Sequence, residues 1–353
     1  MHREGFGSMN EIASLIRVSE RVGRNPLLSQ GSSGNTSVKS GDLMWIKASG
    51  KRLARAGTEQ TFVPVDIDRA LNALATADEL TVCRQRPTSL KPSMETWMHV
   101  ILPHAAVIHA HAVNTVAWSL RENGEELVRA RMSGLRWTWI PYAPSGRPLG
   151  RAVLAARETD PDVLILGNHG LVVGAPNILK AESLLLDVER RLHVDARMSA
   201  PADIDALERR IDHPGWIPAA ERVHHLAVDD WSFELATDHV LYPCQWVHIS
   251  RRLAVMRDGE RITETLARHR VRTGLEPLVA LSPRTGVMVH RSLSDGSGEN
   301  EVMEQVVGLA EIIARIPRGA EVRALSHRQI AALDAMAMPL AELAASAGDR
   351  FAR

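Results

Sequence analysis

The stretch Ala105-Ala-Val-Ile-His109-Ala-His111-Ala-Val113 constrains the fold of this chain more than any other. It is apolar and β-branched, the composition of a strand buried in a sheet, yet it carries two imidazoles two residues apart. Alternate side chains of a strand share a face, so His109 and His111 point to one spot from a segment that otherwise belongs to the core. Two legs of a metal site are built this way. Glu95, upstream near a helix start, and His169, inside Val163-Leu-Ile-Leu-Gly-Asn-His169-Gly-Leu-Val-Val173, complete the inventory. Three histidines and a carboxylate at the edges of apolar elements are the ligand set of a catalytic zinc centre with one open position; another divalent transition metal fits the same donors.

The periodicities around these residues alternate between helix and strand. Residues 9–23 read as an amphipathic helix ending in glycine. A polar glycine-rich turn (30–35) precedes a hairpin of strands at 36–39 and 43–47, then a loop at 48–52, a strand at 62–65 and a helix at 66–77. Ser93 is the expected N-cap of a helix that puts Glu95 in its first turn and buries Met94, Trp97, Met98 and Ile101. Further helices are expected at 114–120, 151–159 and 177–198. Strands are expected at 135–141, 163–166 and 171–173, with His169 displayed on the tight turn 167–170. Pro and Gly in Asp212-His-Pro-Gly-Trp216-Ile-Pro218 mark a boundary, giving a catalytic domain over 1–212 and a smaller α/β unit over 213–353. In the latter, Leu281–Val289 followed by a helix at 301–316 repeats the hairpin-then-helix order of residues 164–194, with Thr285 in the place of His169. The acidic, glycine-rich loop 294–300 is neither a Walker motif nor a dinucleotide fingerprint.

Composition narrows the partners. A chain of 353 residues, 45% hydrophobic, fills two structural units. With 42 basic and 42 acidic residues and no basic stripe, it lacks the footprint of a nucleic-acid binder, so a small molecule is the expected partner. Two distant cysteines, Cys83 and Cys244, make no disulfide framework. The absence of an apolar leader or of a long apolar run points to a soluble, cytoplasmic protein away from membranes. Four of the five lysines (Lys39, Lys47, Lys51, Lys91) fall between positions 39 and 91. Lysine meets anions as a point charge, so the cluster hints at an anionic group on the substrate.

Gly34-Asn35-Thr-Ser-Val-Lys39, Ala48-Ser49-Gly50, Pro92-Ser93-Met-Glu95-Thr-Trp-Met-His99, Val107-Ile-His109-Ala-His111 and Gly167-Asn-His169-Gly170 together resemble the class II aldolase/adducin head family over about residues 10–200. The arrangement is further similar to the aldolase portion of bifunctional rhamnulose-phosphate aldolase/dehydrogenase-like proteins, whose extra segment after the aldolase core the phrase Asp238–Pro243 resembles. No glycine fingerprint for a dehydrogenase occurs in residues 213–353. The resemblance implies a three-layer α/β/α fold with a largely antiparallel central sheet. It also implies a zinc ion on His109, His111 and His169, with Glu95 as general acid and base. The activity it implies is a metal-dependent aldehyde-lyase that cleaves a small hydroxy-carbonyl compound through a metal-stabilised enediolate. Decarboxylation, dehydration or epimerisation could use the same intermediate, and an adducin-like module would use none. Asn35, Ser49, Gly50 and Ser93 match the family's phosphate-binding positions, with Lys47 and Lys51 as further anion contacts. Met94 departs from the pattern, since phosphate-binding relatives often carry a second serine there. Neither Tyr142 nor Tyr242 lies where some members supply a proton donor from a neighbouring subunit. By the same resemblance the chain forms a homo-oligomer, a tetramer.

Overall fold

A computed structural model describes residues 9–76, 88–294 and 300–335; Cys83 lies outside them. The described chain divides into two compact units at Asp195/Ala196.

The first unit is organised by a seven-stranded sheet. In chain order its elements are α1 (Met9–Arg24), β1 (Asn35–Ser40), β2 (Leu43–Lys47), β3 (Phe62–Asp66), α2 (Ile67–Thr76), α3 (Thr96–Ile101), β4 (Ala106–Ala110), α4 (Val113–Ser119), α5 (Gly124–Arg129), β5 (Trp137–Ile140), α6 (Arg147–Ala156), β6 (Val163–Leu166), β7 (Gly170–Ala175) and α7 (Ile178–Arg191). The sheet order is β3-β2-β1-β4-β7-β6-β5, antiparallel throughout except for the parallel pair β5 and β6. Helices α1, α4 and α7 cover one face, where Leu15, Val18, Ile108, Ile165, Val173 and Leu185 are buried. Helices α2, α3 and α6 cover the other, against Ile46, Val65, Val107, Leu164 and Val172. Both faces are dry, which is why the central strands read as nearly continuous apolar runs. The expected three-layer α/β/α architecture with a largely antiparallel sheet is the one found.

Several boundaries differ for local reasons. Gly23 does not stop α1: a methyl group there would lie 2.2 Å from the amide nitrogen of Ala54, so the glycine admits a neighbouring turn against the helix. Helix α6 begins at Arg147, four residues before the expected 151, because Pro148 sits in its first turn, where a missing N–H costs nothing. Helix α7 ends at Arg191 and the chain runs on without regular structure to α8 (Ile204–Arg210). Met94, expected inside, is 39% exposed, and α3 starts at Thr96, one residue after Glu95.

The second unit contains α8, β8 (Trp216–Pro218), α9 (His225–Val228), α10 (Asp230–Thr237), β9 (Leu253–Val255), α11 (Ile262–Thr273), β10 (Val279–Ser282), β11 (Gly286–His290) and α12 (Glu301–Ala314). The boundary expected at 212/213 falls earlier because α8 packs on β8 and β11, and Leu207 touches the turn at Gly286. The sheet order β8-β11-β10-β9 reproduces β4-β7-β6-β5 strand for strand, down to the one parallel pair, β9 with β10. The hairpin turns agree as well: Leu166 pairs with Gly170 and Ser282 with Gly286, and Asn168 and Arg284 take positive φ of 54° and 58° at the same step. Register then makes Pro218 the counterpart of His109, because Pro218 pairs with Met288 as His109 pairs with Val172. Ala220 corresponds to His111 and Thr285 to His169. The second copy of the half-sheet therefore has no nitrogen ligand at any of the three positions.

Candidate metal centre

The site forms where the face of the sheet under α3 loses its apolar character at the strand ends. On β1, Thr36 and Val38 face α1, leaving Asn35 and Ser37 on the α3 side; on β4, Val107 and His109 share that side. Asn35 pairs with His109 across the two strands. His111 lies just past the end of β4. His169 closes a three-residue turn between β6 and β7, which Asn168 permits by adopting the left-handed conformation that asparagine tolerates better than most residues. Gly170 follows because a methyl group there would lie 2.5 Å from the Ala110 carbonyl oxygen and 3.2 Å from Cε1 of His109.

The three rings converge. Their centroids are 4.9, 5.0 and 5.1 Å apart and their candidate ligand atoms lie within 4.8 Å of one another. A point equidistant from the ring centres is about 2.9 Å from each, a separation that a metal–nitrogen bond of about 2.0–2.1 Å together with the ring's own radius can span. His109 Nδ1 faces the Leu171 carbonyl oxygen at 3.0 Å, which assigns the ring proton to Nδ1, while Nε2 is buried with no hydrogen-bond partner. A ring held by a backbone carbonyl with its other nitrogen left over is how proteins orient a metal ligand. Burial pushes His109 down to about 4 and His111 well below the ordinary imidazole value. Those lone pairs are therefore available at neutral pH. The donor set fits a divalent transition metal.

Glu95 completes the cluster. Its Oε1 lies 3.1 Å from His169 Nε2 and accepts a hydrogen bond from Ser145 Oγ at 3.1 Å; its Oε2 lies 3.4 Å from His109 Nε2 and accepts from Asn35 Nδ2 at 2.8 Å. Burial alone would raise this carboxyl, but His109, His169 and His111 outweigh it and hold it well below the usual carboxylate range. Ser93 fixes the approach to the helix: its Oγ accepts from the Glu95 amide and from Asn35 Nδ2, each at 3.2 Å. It does so three residues ahead of Thr96 and not as a side-chain cap of α3. Segment 91–93 is itself tied to the end of β2 and the loop that follows it, through Ser93 N to Lys47 O and Ser49 N to Lys91 O.

The residues expected to bind an anion separate into two groups. Asn35 and Ser93 reach the cluster, where Asn35 Nδ2 donates to Glu95 Oε2 and Ser93 Oγ accepts from the Glu95 amide. Lys47 is buried and its Nζ donates to the carbonyls of Ser32 and Lys51 at 2.6 Å each, which staples loop 30–34 to loop 48–52. Lys51 pairs with Glu59 at 3.0 Å. Ser49 and Gly50 are exposed on the 48–52 loop. Sequence reading missed Ser145, which lies between Pro144 and Gly146 (φ 88°), a polar loop with no periodic signal.

A two-faced, mostly antiparallel sheet ending in three converging histidines and one acid defines a protein built around a candidate metal site. The chain belongs to the class II aldolase and adducin N-terminal domain family, whose pattern matches residues 13–195. The chain is similar to the uncharacterized oxidoreductase YuxG of Bacillus subtilis (strain 168), at 26% identity over 179 residues, 46% of this chain. That match covers 26% of the relative, so the chain spans about a quarter of its length. Among solved structures, the N-terminal class II aldolase domain of a conserved protein from Thermoplasma acidophilum is 24% identical, with 54% of this chain and 95% of that one covered at a TM-score of 0.46. An L-fuculose 1-phosphate aldolase is 22% identical, with 54% and 86% covered at a TM-score of 0.42. No helix among the described residues is long and apolar enough to cross a membrane.

Proposed function

We propose that this chain is a zinc-dependent aldolase that cleaves a small hydroxy-carbonyl compound of the sugar or sugar-acid type. The observation that carries the reading is the position of Glu95, a buried carboxylate within 3.4 Å of two of the three converging histidines. His109, His111 and His169 would hold the metal, which when bound supplies Lewis-acid polarisation of a substrate oxygen. Neutral imidazoles leave the full charge of such an ion in place. Glu95 takes the proton from a substrate hydroxyl as the carbon–carbon bond breaks and returns it to the carbon left with the electron pair. Asn35 donates to Oε2 and Ser145 to Oε1, so the two bonds together fix the plane of the carboxylate.

A second reading, decarboxylation of a sugar acid on the same residues, draws on the engagement of Lys47 and Lys51 with other protein groups and on the thioether at Met94, which together leave a phosphate few direct donors. Dehydration and epimerisation share the same acid–base group. We extend the proposal to a cytoplasmic homo-oligomer acting on a small molecule.

The test is a screen of zinc-loaded protein against phosphorylated and unphosphorylated keto-sugars and sugar acids, read by aldehyde formation and by carbon dioxide release. Glu95→Gln is expected to keep its zinc and lose activity by a factor of about 10²–10⁴; full activity in that variant removes Glu95 from the reaction. Zinc well below one per chain after metal-replete purification would favour an adducin-like module without catalysis.

A further inference from the structure

Strand β1 and the start of α3 meet in matched spacing. Asn35 and Ser37, two residues apart on a strand, face Glu95 and His99, four residues apart at and beyond a helix start, and the two intervals are nearly equal in length. The four side chains are buried, with His99 and Ser37 fully so. His99 lies between the two strand residues: its Nδ1 is 2.7 Å from Ser37 Oγ and its Nε2 meets Asn35 Oδ1. Asn35 in turn reaches Glu95 Oε2 through Nδ2 at 2.8 Å.

The direction of every bond in this chain follows from its end. A carboxylate only accepts, so Asn35 must present its NH2 to Glu95 and its carbonyl oxygen to His99. That oxygen only accepts, so His99 carries its proton on Nε2. The neutral ring then accepts at Nδ1, and Ser37 donates its hydroxyl. Burial keeps His99 neutral, pushing it down to about 3, so the second ring nitrogen stays an acceptor.

We propose that Ser37, His99 and Asn35 form a one-way hydrogen-bonded chain that sets the rotamer of Glu95. This rests on the role given to Glu95 above. All three are positioning residues, because none touches the reacting atoms. The polarity predicts an unusual pattern of substitution. Glutamine at position 99 can donate from its NH2 to Asn35 and accept from Ser37 on its oxygen, so it preserves the sense of the chain, whereas phenylalanine keeps the bulk and breaks it.

Two measurements on zinc-loaded protein test this. With glutamate labelled at the side-chain carboxyl carbon, the Glu95 resonance, assigned by its loss in Glu95→Gln, should shift in His99→Phe and Ser37→Ala and stay close to wild type in His99→Gln; ring-nitrogen spectra should show His99 protonated on Nε2. With any substrate that the screen identifies, His99→Phe should lower kcat about ten- to a hundredfold with KM nearly unchanged, and His99→Gln should recover most of it. Zinc content near one per chain verifies that each variant has folded. A His99 proton on Nδ1, or a Glu95 carboxyl signal unmoved in His99→Phe, overturns the proposal. Since both are read without turnover, failure of the substrate screen counts against the aldolase reading alone.

Discussion

Replacing Gly170 by alanine tests how the fold sets the metal site. The new methyl group would lie 2.5 Å from the Ala110 carbonyl oxygen, a backbone atom that cannot swing aside, and 3.2 Å from Cε1 of His109. A carbon–oxygen contact settles near about 3.3 Å, so β4 and β7 must part by about 0.8 Å. Overpacking of this kind costs about 1–3 kcal/mol. At about 2–4 °C per kcal/mol for a unit of this size, the melting temperature should fall by about 2–12 °C. The larger effect is on the ligand. Metal sites tolerate errors of about 0.2 Å in bond length, and His109 rides on the strand that moves, so zinc affinity should fall about ten- to a hundredfold. Gly134→Ala is the matched control. Gly134 has φ 80° with nothing within 4 Å of an added methyl, so the change costs about 1–2 kcal/mol of left-handed strain and leaves zinc alone. Calorimetry and competitive zinc titration of the two variants decide the matter. Should Gly170→Ala bind zinc as tightly as Gly134→Ala, the close approach of β4 and β7 does not hold His109 in place.

Two other predictions concern stability. Burial lowers His109 and His99 from 6.5 to about 4 and about 3 in the folded protein, so below pH 6.5 the unfolded chain takes up protons that the folded chain refuses. Stability of the metal-free protein should thus be level above pH 6.5 and decline from there toward pH 4, with a slope of up to about 1.4 kcal/mol per pH unit for each histidine; a urea midpoint that stays flat down to pH 4.5 would refute this. In the second unit, the Asp229 side chain is 1% exposed and accepts from Ser232 N, Ser232 Oγ, Arg197 and Arg318. Asp229→Ala strands Arg197 in a largely buried position and should cost about 3 kcal/mol or more in denaturant unfolding, and a loss under about 1 kcal/mol would show that water already screens the pair.

The converging histidines were legible because each rests on a short-range rule. His109 and His111 follow from the two-residue period of a strand, and His169 from a turn whose residues mark themselves. The halves of the sheet were legible for the same reason, as was the echo between them, since β-branched runs and turn residues report local backbone preference. The partners of the expected anion set were not legible. Lys47 and Lys51 were chosen by residue type and Asn35 by its match to the family's pattern, and neither says which groups a side chain meets: a loop carbonyl, Glu59 and Glu95 respectively accept from them.

By itself the sequence determined which side chains could be ligands, which elements carry them and which segments must be buried, because periodicity and backbone preference act within a few residues. Tertiary structure alone decided that Ser145 reaches Glu95 across 50 positions and that His99 lies between Asn35 and Ser37. It also decided that α8 belongs with the second sheet. Hydrogen bonds and close packing select partners by distance in space, and the pairing of β1 with β4 and the docking of α3 create those distances only when the chain is folded.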